Sequence, residues 1–174
     1  LDRERARAFD ARIMGAGVPG PILMENAGRG AAELLRRRFA GRLARVVVVG
    51  GTGQNGGDAW VIARRLIVHG VRPTVLLAGR RDSVRGDAKV NLDALEAVGG
   101  RVTEVGEGAL DPLDEALAGA TALVEGIFGT GLDRPVQGFR REVLERLNRC
   151  PAPTFAIDLP SGIDADTGAV LGVA

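Results

Sequence analysis

Three short stretches set oxygen-bearing side chains beside runs of glycine. The first, GGTGQNGGDAW (50–60), follows the β-branched run ARVVVV and leads into VIARRLIVHG. It places Gln54, Asn55 and Asp58 among five glycines. Side-chain carbonyls and a carboxylate are hard oxygen ligands, suited to sugar hydroxyls or to a hard cation. Gly51, Gly53 and Gly56 have the G-x-G-x-x-G spacing that lets backbone N–H groups approach a diphosphate at a helix start. No Lys-Ser/Thr pair follows, which excludes a P-loop, and no acidic residue closes the next apolar run, TVLLAGRRD. The structural alternative is a tight turn with close packing of helix on strand. The second stretch, VEGIFGTGLDRPVQG, carries Glu125 inside an apolar run and then Gly129, Thr130 and Gly131. In the third, AIDLPSGIDADTG, Asp158 and Ser161 bracket Pro160.

A carboxylate inside an apolar run is costly unless it is paired or functional. Taken alone, Glu125 or Asp158 could be a satisfied structural carboxylate. Asp158 has the better credentials for proton transfer: at the end of a buried strand, desolvation would raise its pKa towards neutrality, and Pro160 would fix the turn that aims it. A helix cap or an outer ion ligand is the plainer role.

The elements that must position these residues follow from the pattern between them. Residues 45–50, 73–79, 101–105, 122–128 and 154–160 read as strands, and their near-continuous apolar character predicts a parallel sheet covered on both faces. Helical stretches separate them at 58–70, 84–100, 110–119 and 138–150. In the first, Val61 and Ile62 recur as Leu66 and Ile67, with Gly70 as the stop. Two more helical stretches, 2–17 and 22–41, precede the first strand and are joined by the breaker VPGP. Strand alternating with helix predicts an α/β fold, a doubly wound sandwich in one domain spanning 1–174. In such a sheet ligands bind at the carboxyl ends of the strands, where all three stretches fall.

Composition removes several classes of partner. Lys plus Arg is 23 against 22 Asp plus Glu, and aromatic residues are 3% of the chain, so there is no basic footprint for nucleic acid and few stacking platforms for bases. The arginines are scattered through helical stretches as solvated faces. No apolar run approaches the roughly 18 residues that span a bilayer, and no charged-then-apolar leader opens the chain. The lone Cys150 cannot form an internal disulfide, which suits a reducing, cytoplasmic compartment. His69 lies at a helix end away from the glycine loops and reads as a solvated cap.

Together the segments resemble the YjeF N-terminal domain family, the NAD(P)HX epimerases. GAGVPGPILMENAGR (15–29) is similar to the family's opening segment, GTGQNGGDA (51–59) to its asparagine-glycine loop, EGIFGTGLDR (125–134) to its G-T-G loop, and DLPSG (158–162) to its D-I/L-P-S-G. The resemblance covers essentially the whole chain, with the four motifs in family order.

The resemblance implies a three-layer α/β/α Rossmann-like sandwich with a mainly parallel sheet and N-terminal helices. It implies interconversion of the R and S forms of NAD(P)HX, the hydrated, damaged form of NADH and NADPH. Substrate contacts carried over by motif are Gln54, Asn55, Gly56, Gly57 and Asp58, then Gly129, Thr130, Gly131, Leu132, Asp133, Arg134 and Pro135, and Asp158. A potassium ion would sit among Asn55, Glu125 and Ser161. The resemblance also implies a homodimer formed through the N-terminal helices. The chain stops at GAVLGVA, short of the family's last strands, and in many bacterial members a dehydratase domain follows. Three positions depart from the family: Gln54 replaces Asn, Ala59 replaces Gly, and Glu125 replaces Asp with one more methylene of reach. A non-catalytic nucleotide-binding or dimerising scaffold of the same fold is the rival, although a scaffold has no use for the polar set of QNGGD and DLPSG. An NAD-dependent oxidoreductase is disfavoured by the missing acid after the second strand.

Overall fold

The computed structural model describes residues 3–174. Two helices, α1 (Arg3–Gly15) and α2 (Gly20–Arg38), precede a sheet of β1 (Val46–Gly50), β2 (Thr74–Ala78), β3 (Val102–Val105), β4 (Ala122–Gly126) and β5 (Thr154–Ala156). Between the strands run α3 (Gln54–Val68), α4 (Gly86–Ala97), α5 (Asp111–Leu117) and α6 (Gly138–Arg149).

Every strand pairing is parallel, and the spatial order is β3-β2-β1-β4-β5. The chain therefore winds outward to β3, then crosses to the other side of β1, so the order of connection reverses between β1 and β4. Alternate side chains of β1 serve opposite faces, as a pleated strand requires. Val46 and Val48 join a core with Trp60, Ile62 and Leu66 of α3, Leu92 and Leu95 of α4, and Leu35 of α2. Val47 and Val49 join Leu113 of α5 and Val143, Leu144 and Leu147 of α6. The result is the doubly wound sandwich predicted from the alternation, with the three layers that the family resemblance implied. Among the described residues no helix is long and apolar enough to cross a membrane.

The two largest boundary shifts from the sequence expectation both concern the site. The helix expected to start at residue 58 starts at Gln54, so Gln54, Asn55 and Asp58 ride on its first turns instead of a loop. Two glycines there read as turn formers, but packing overrides propensity. A Cβ on Gly57 would meet Met24 Sδ of α2 at 2.5 Å, and one on Gly56 would meet the Gly51 carbonyl oxygen at 1.9 Å. The last strand, expected over 154–160, ends at Ala156. Asp158 lies beyond it with φ 65°, the one non-glycine residue at positive φ among those described.

Candidate active site at the carboxyl edge of the sheet

The reversal point between β1 and β4 opens into a cleft of about 1070 Å³. Its floor is a seam of backbone. Gly51 N–H donates to the Gly126 carbonyl at 3.0 Å, and a Cβ on Gly51 would come within 2.3 Å of the Ile127 carbonyl oxygen. Much of the bare backbone in the first loop is thus required by helix-on-strand packing, as the structural alternative held. Gly53 differs: a Cβ there would meet nothing within 4 Å, and it stands on the cleft wall.

The three loops do converge. A Cβ on Gly129 would lie 2.8 Å from Asp158 Oδ2 and 3.2 Å from Asn55 Cγ, so Gly129 separates the other two stretches by little more than its own missing side chain. Thr130 N–H donates to Asp158 Oδ2 at 2.9 Å. Asn55 Nδ2 donates to the Phe128 carbonyl at 2.7 Å and, more weakly, to that of Ile157 at 3.4 Å.

Of the expected substrate contacts, Gln54, Asn55, Asp58, the segment Gly129 to Pro135, and Asp158 all line the cleft. Gly56 and Gly57 do not. They are buried against Gly51, Met24 and Ala88.

The expected ion ligands form one cluster just behind the wall. Glu125 and Ser161 are buried, at 4% and 3% exposure. Glu125 Oε1 accepts from Ile127 N–H at 2.8 Å and from the Ser161 hydroxyl, while Oε2 accepts from Ser161 N–H at 3.1 Å. Ser161 Oγ also accepts from Phe128 N–H at 2.7 Å. Burial pushes the Glu125 carboxyl up, against the pull of these hydrogen bonds from Ser161 and the backbone. Glu125 is therefore a satisfied carboxylate that ties the end of β4 to the third loop. Among the described residues no three His, Cys, Asp or Glu side chains gather as a metal site.

The acid-base reading of Asp158 rested on burial, and that premise is overturned. Asp158 is exposed and sits past the strand end. The carboxyl displaced into the neutral range is Asp58, pushed up to about 7, first by burial and then by the negative charges of Asp158 and Asp10. No described residue donates a hydrogen bond to the Asp58 carboxylate. Its neighbours Ala59, Trp60 and Val61 are buried, and that apolar run was the available sign that Asp58 starts a sunken helix turn.

Sequence reasoning also missed what the N-terminal helices do. Ala6, Arg7 and Asp10 of α1 and Ala27, Gly28 and Ala31 of α2 form part of the cleft wall. The α1 helix is tied across the site by Arg3, whose Nη2 donates to the Leu132 carbonyl at 2.8 Å and to Asp164 Oδ2 at 3.0 Å. The LMENAG segment supports α3 from behind: Glu25 pairs with Arg64 and Arg65, and a Cβ on Gly28 would meet Val61 at 2.5 Å.

Comparison with known proteins agrees with this architecture. The model of the YjeF-related protein N-terminus matches residues 20–174. The chain belongs to that family. Relatives of this YjeF-related domain include the NAD(P)H-hydrate epimerase of Pirellula staleyi, 40% identical over 178 residues, covering 99% of this chain and 76% of that protein. The bifunctional NAD(P)H-hydrate repair enzyme Nnr of Moorella thermoacetica is 40% identical over 158 residues, which are 89% of this chain and 30% of that enzyme. The chain thus spans about a third of the bifunctional relatives it matches. The crystal structure of yeast ynu0 superposes with a TM-score of 0.86 at 27% identity, covering 98% of this chain and 74% of that one.

Proposed function

We propose that this YjeF-related domain is an NAD(P)HX epimerase, an isomerase that interconverts the two configurations at the hydrated carbon of damaged NADH or NADPH. One observation carries the reading. Where the three loops meet, the cleft holds two electrostatically coupled carboxyls, Asp58 with its pKa near neutrality and exposed Asp158 beside it. The names of the relatives and the coverage of the Pirellula epimerase support it.

The ring nitrogen beside the hydrated carbon can expel the hydroxyl, leaving a flat iminium that water re-attacks from the opposite face. The departing hydroxyl needs a proton and the incoming water must lose one. Asp58, retaining its proton to about pH 7, is the donor as the C–O bond breaks and water departs. Asp158, oriented by Thr130 N–H, accepts the proton of the incoming water; exposed Asp158 then releases it to solvent and Asp58 takes one up, which restores both groups. The N–H groups of Gln54 and Asn55 at the start of α3 bind the diphosphate, and Ala6, Arg7 and Asp10 of α1 form part of the wall around it.

A potassium ion at Asn55, Glu125 and Ser161 is part of the proposal. Around Phe128 the cluster offers one carboxylate, one hydroxyl, one amide and backbone carbonyl oxygens, a donor set with a single formal charge that suits a large monovalent cation. Such an ion would replace the Asn55 Nδ2 hydrogen bonds and brace the Gly129 loop over the substrate. A homodimer through α1 and α2, and a dehydratase as fused or separate partner, complete the picture. The direct test supplies one epimer of NADHX and follows appearance of the other by chromatography.

A further inference from the structure

Asp58, on α3, and Asp158, just past the end of β5, both line the cleft. On the side of β2 stands Arg140 from the first turn of α6. Arg140 Nη2 lies 3.5 Å from the place a Cβ on Gly79 would occupy, and Thr52 Cγ2 lies 2.7 Å from the same point. Gly79 is the residue immediately after β2. Arg140 therefore reaches over the end of β2 beside the glycine loop.

In a doubly wound nucleotide fold of this strand order, the end of β2 meets the adenosine ribose. An acidic residue there accepts from the ribose 2′-hydroxyl, whereas an arginine accommodates a 2′-phosphate. Here β2 runs into Gly79-Arg80-Arg81, with no carboxylate at that point. The acidic side chains of this edge are occupied: Asp82 pairs with Arg80, and Glu96 and Glu104 pair with Arg81. Arg140 has no carboxylate partner among the described residues. Its guanidinium carbon sits 4.8 Å from the centroid of the Phe139 ring, which fixes a half-buried stem without consuming its N–H donors.

We propose that Arg140 reads the 2′-phosphate of the adenosine ribose, so that the domain prefers NADPHX to NADHX and binds its substrate with the hydrated ring at the carboxylates. This rests on the epimerase reading above. A planar guanidinium with several donors suits a phosphate dianion, which Arg140 can meet at the end of β2.

The test has two arms. In the first, kcat/KM is measured for NADPHX and NADHX with the native chain, Arg140→Gln and Arg140→Lys. The native ratio favours NADPHX by at least tenfold; Arg140→Gln lowers it by roughly 10- to 100-fold, the worth of charge-assisted hydrogen bonds, and Arg140→Lys restores part of it. In the second arm, calorimetry compares adenosine 2′,5′-bisphosphate with AMP, independently of any turnover. The bisphosphate binds at least tenfold more tightly to the native chain, and the difference disappears in Arg140→Gln. Equal binding of the two nucleotides, or a turnover ratio that Arg140→Gln leaves at the native value, overturns this inference and leaves the epimerase reading standing. Preference for the bisphosphate without turnover of either hydrate overturns the epimerase reading and leaves the phosphate site.

Discussion

Asp58→Asn separates the proton carrier from its shape, and its effect on stability can be worked from the site. The native carboxyl titrates near 7 instead of its ordinary 3.8 because folding buries it and sets it by Asp158 and Asp10. Below about pH 4 both folded and unfolded chains carry the proton, so nothing is lost on folding. Between 4 and 7 the unfolded chain ionises while the folded one does not, and stability falls as pH rises. Above about 7 the folded state bears the full cost of a half-buried, repelled carboxylate. At about 1.4 kcal/mol per pH unit, the displacement sets a ceiling of about 4 kcal/mol. Asn carries no proton equilibrium, so Asp58→Asn should be increasingly more stable than the native chain from pH 4 to 7, with a plateau above. For a chain of this size each kcal/mol moves Tm by roughly 2–4 °C. Thermal unfolding followed by circular dichroism at pH 4.5, 6, 7 and 8.5 reads this directly. The same variant should lose roughly a hundredfold or more in epimerisation, the usual contribution of a general acid, and the native rate should decline as pH rises through 7. A stability difference that is the same at pH 4.5 and 8.5 would refute the placement of Asp58 as a half-buried, neutral-range acid.

Gly56→Ala forces a Cβ against the Gly51 carbonyl and should destabilise the fold by about 1–3 kcal/mol; Gly53→Ala, with open space around it, should melt normally and weaken nucleotide binding by calorimetry. Rubidium-soaked crystals should give an anomalous peak among Asn55, Glu125 and Ser161 that Ser161→Ala abolishes; an intact site without a peak would remove the ion. Sedimentation at micromolar concentration should show a dimer that dissociates when exposed Phe9 and Met14, at 59% and 49% exposure, become Asp and Glu, and a native monomer would refute the shared α1–α2 surface.

The layers of the fold were legible because β-branched runs and helical stripes repeat in strict alternation, and the central strands β1 and β4 are buried along their whole length. The convergence of the loops was legible too, since the carboxyl ends of parallel strands lie on one edge. The bounds of α3 and β5 were not. Gly56 and Gly57 look like turn residues until Met24 of α2 and Gly51 of the β1 loop are packed on them. Asp158 looks like the end of an apolar strand, but β5 pairs only with β4, and the chain leaves the sheet at an edge. Least legible was α1: none of its described side chains is buried, and ties from Arg3 to residues far along the chain place it over the cleft.

In the proposed reaction this cleft inverts the hydrated carbon of the damaged nucleotide with Asp158 as the proton acceptor. The decisive measurement starts from a single purified epimer of NADHX and follows its conversion by chromatography, using the native chain and Asp158→Asn, with nucleotide affinity measured in parallel by calorimetry. The native chain should bring the mixture to equilibrium at a rate proportional to its concentration, and Asp158→Asn should be slowed roughly a hundredfold while binding within a few-fold of native. Nucleotide binding by the native chain without any acceleration over buffer would contradict the account and leave a scaffold. Undiminished turnover by Asp158→Asn would remove that residue from the chemistry.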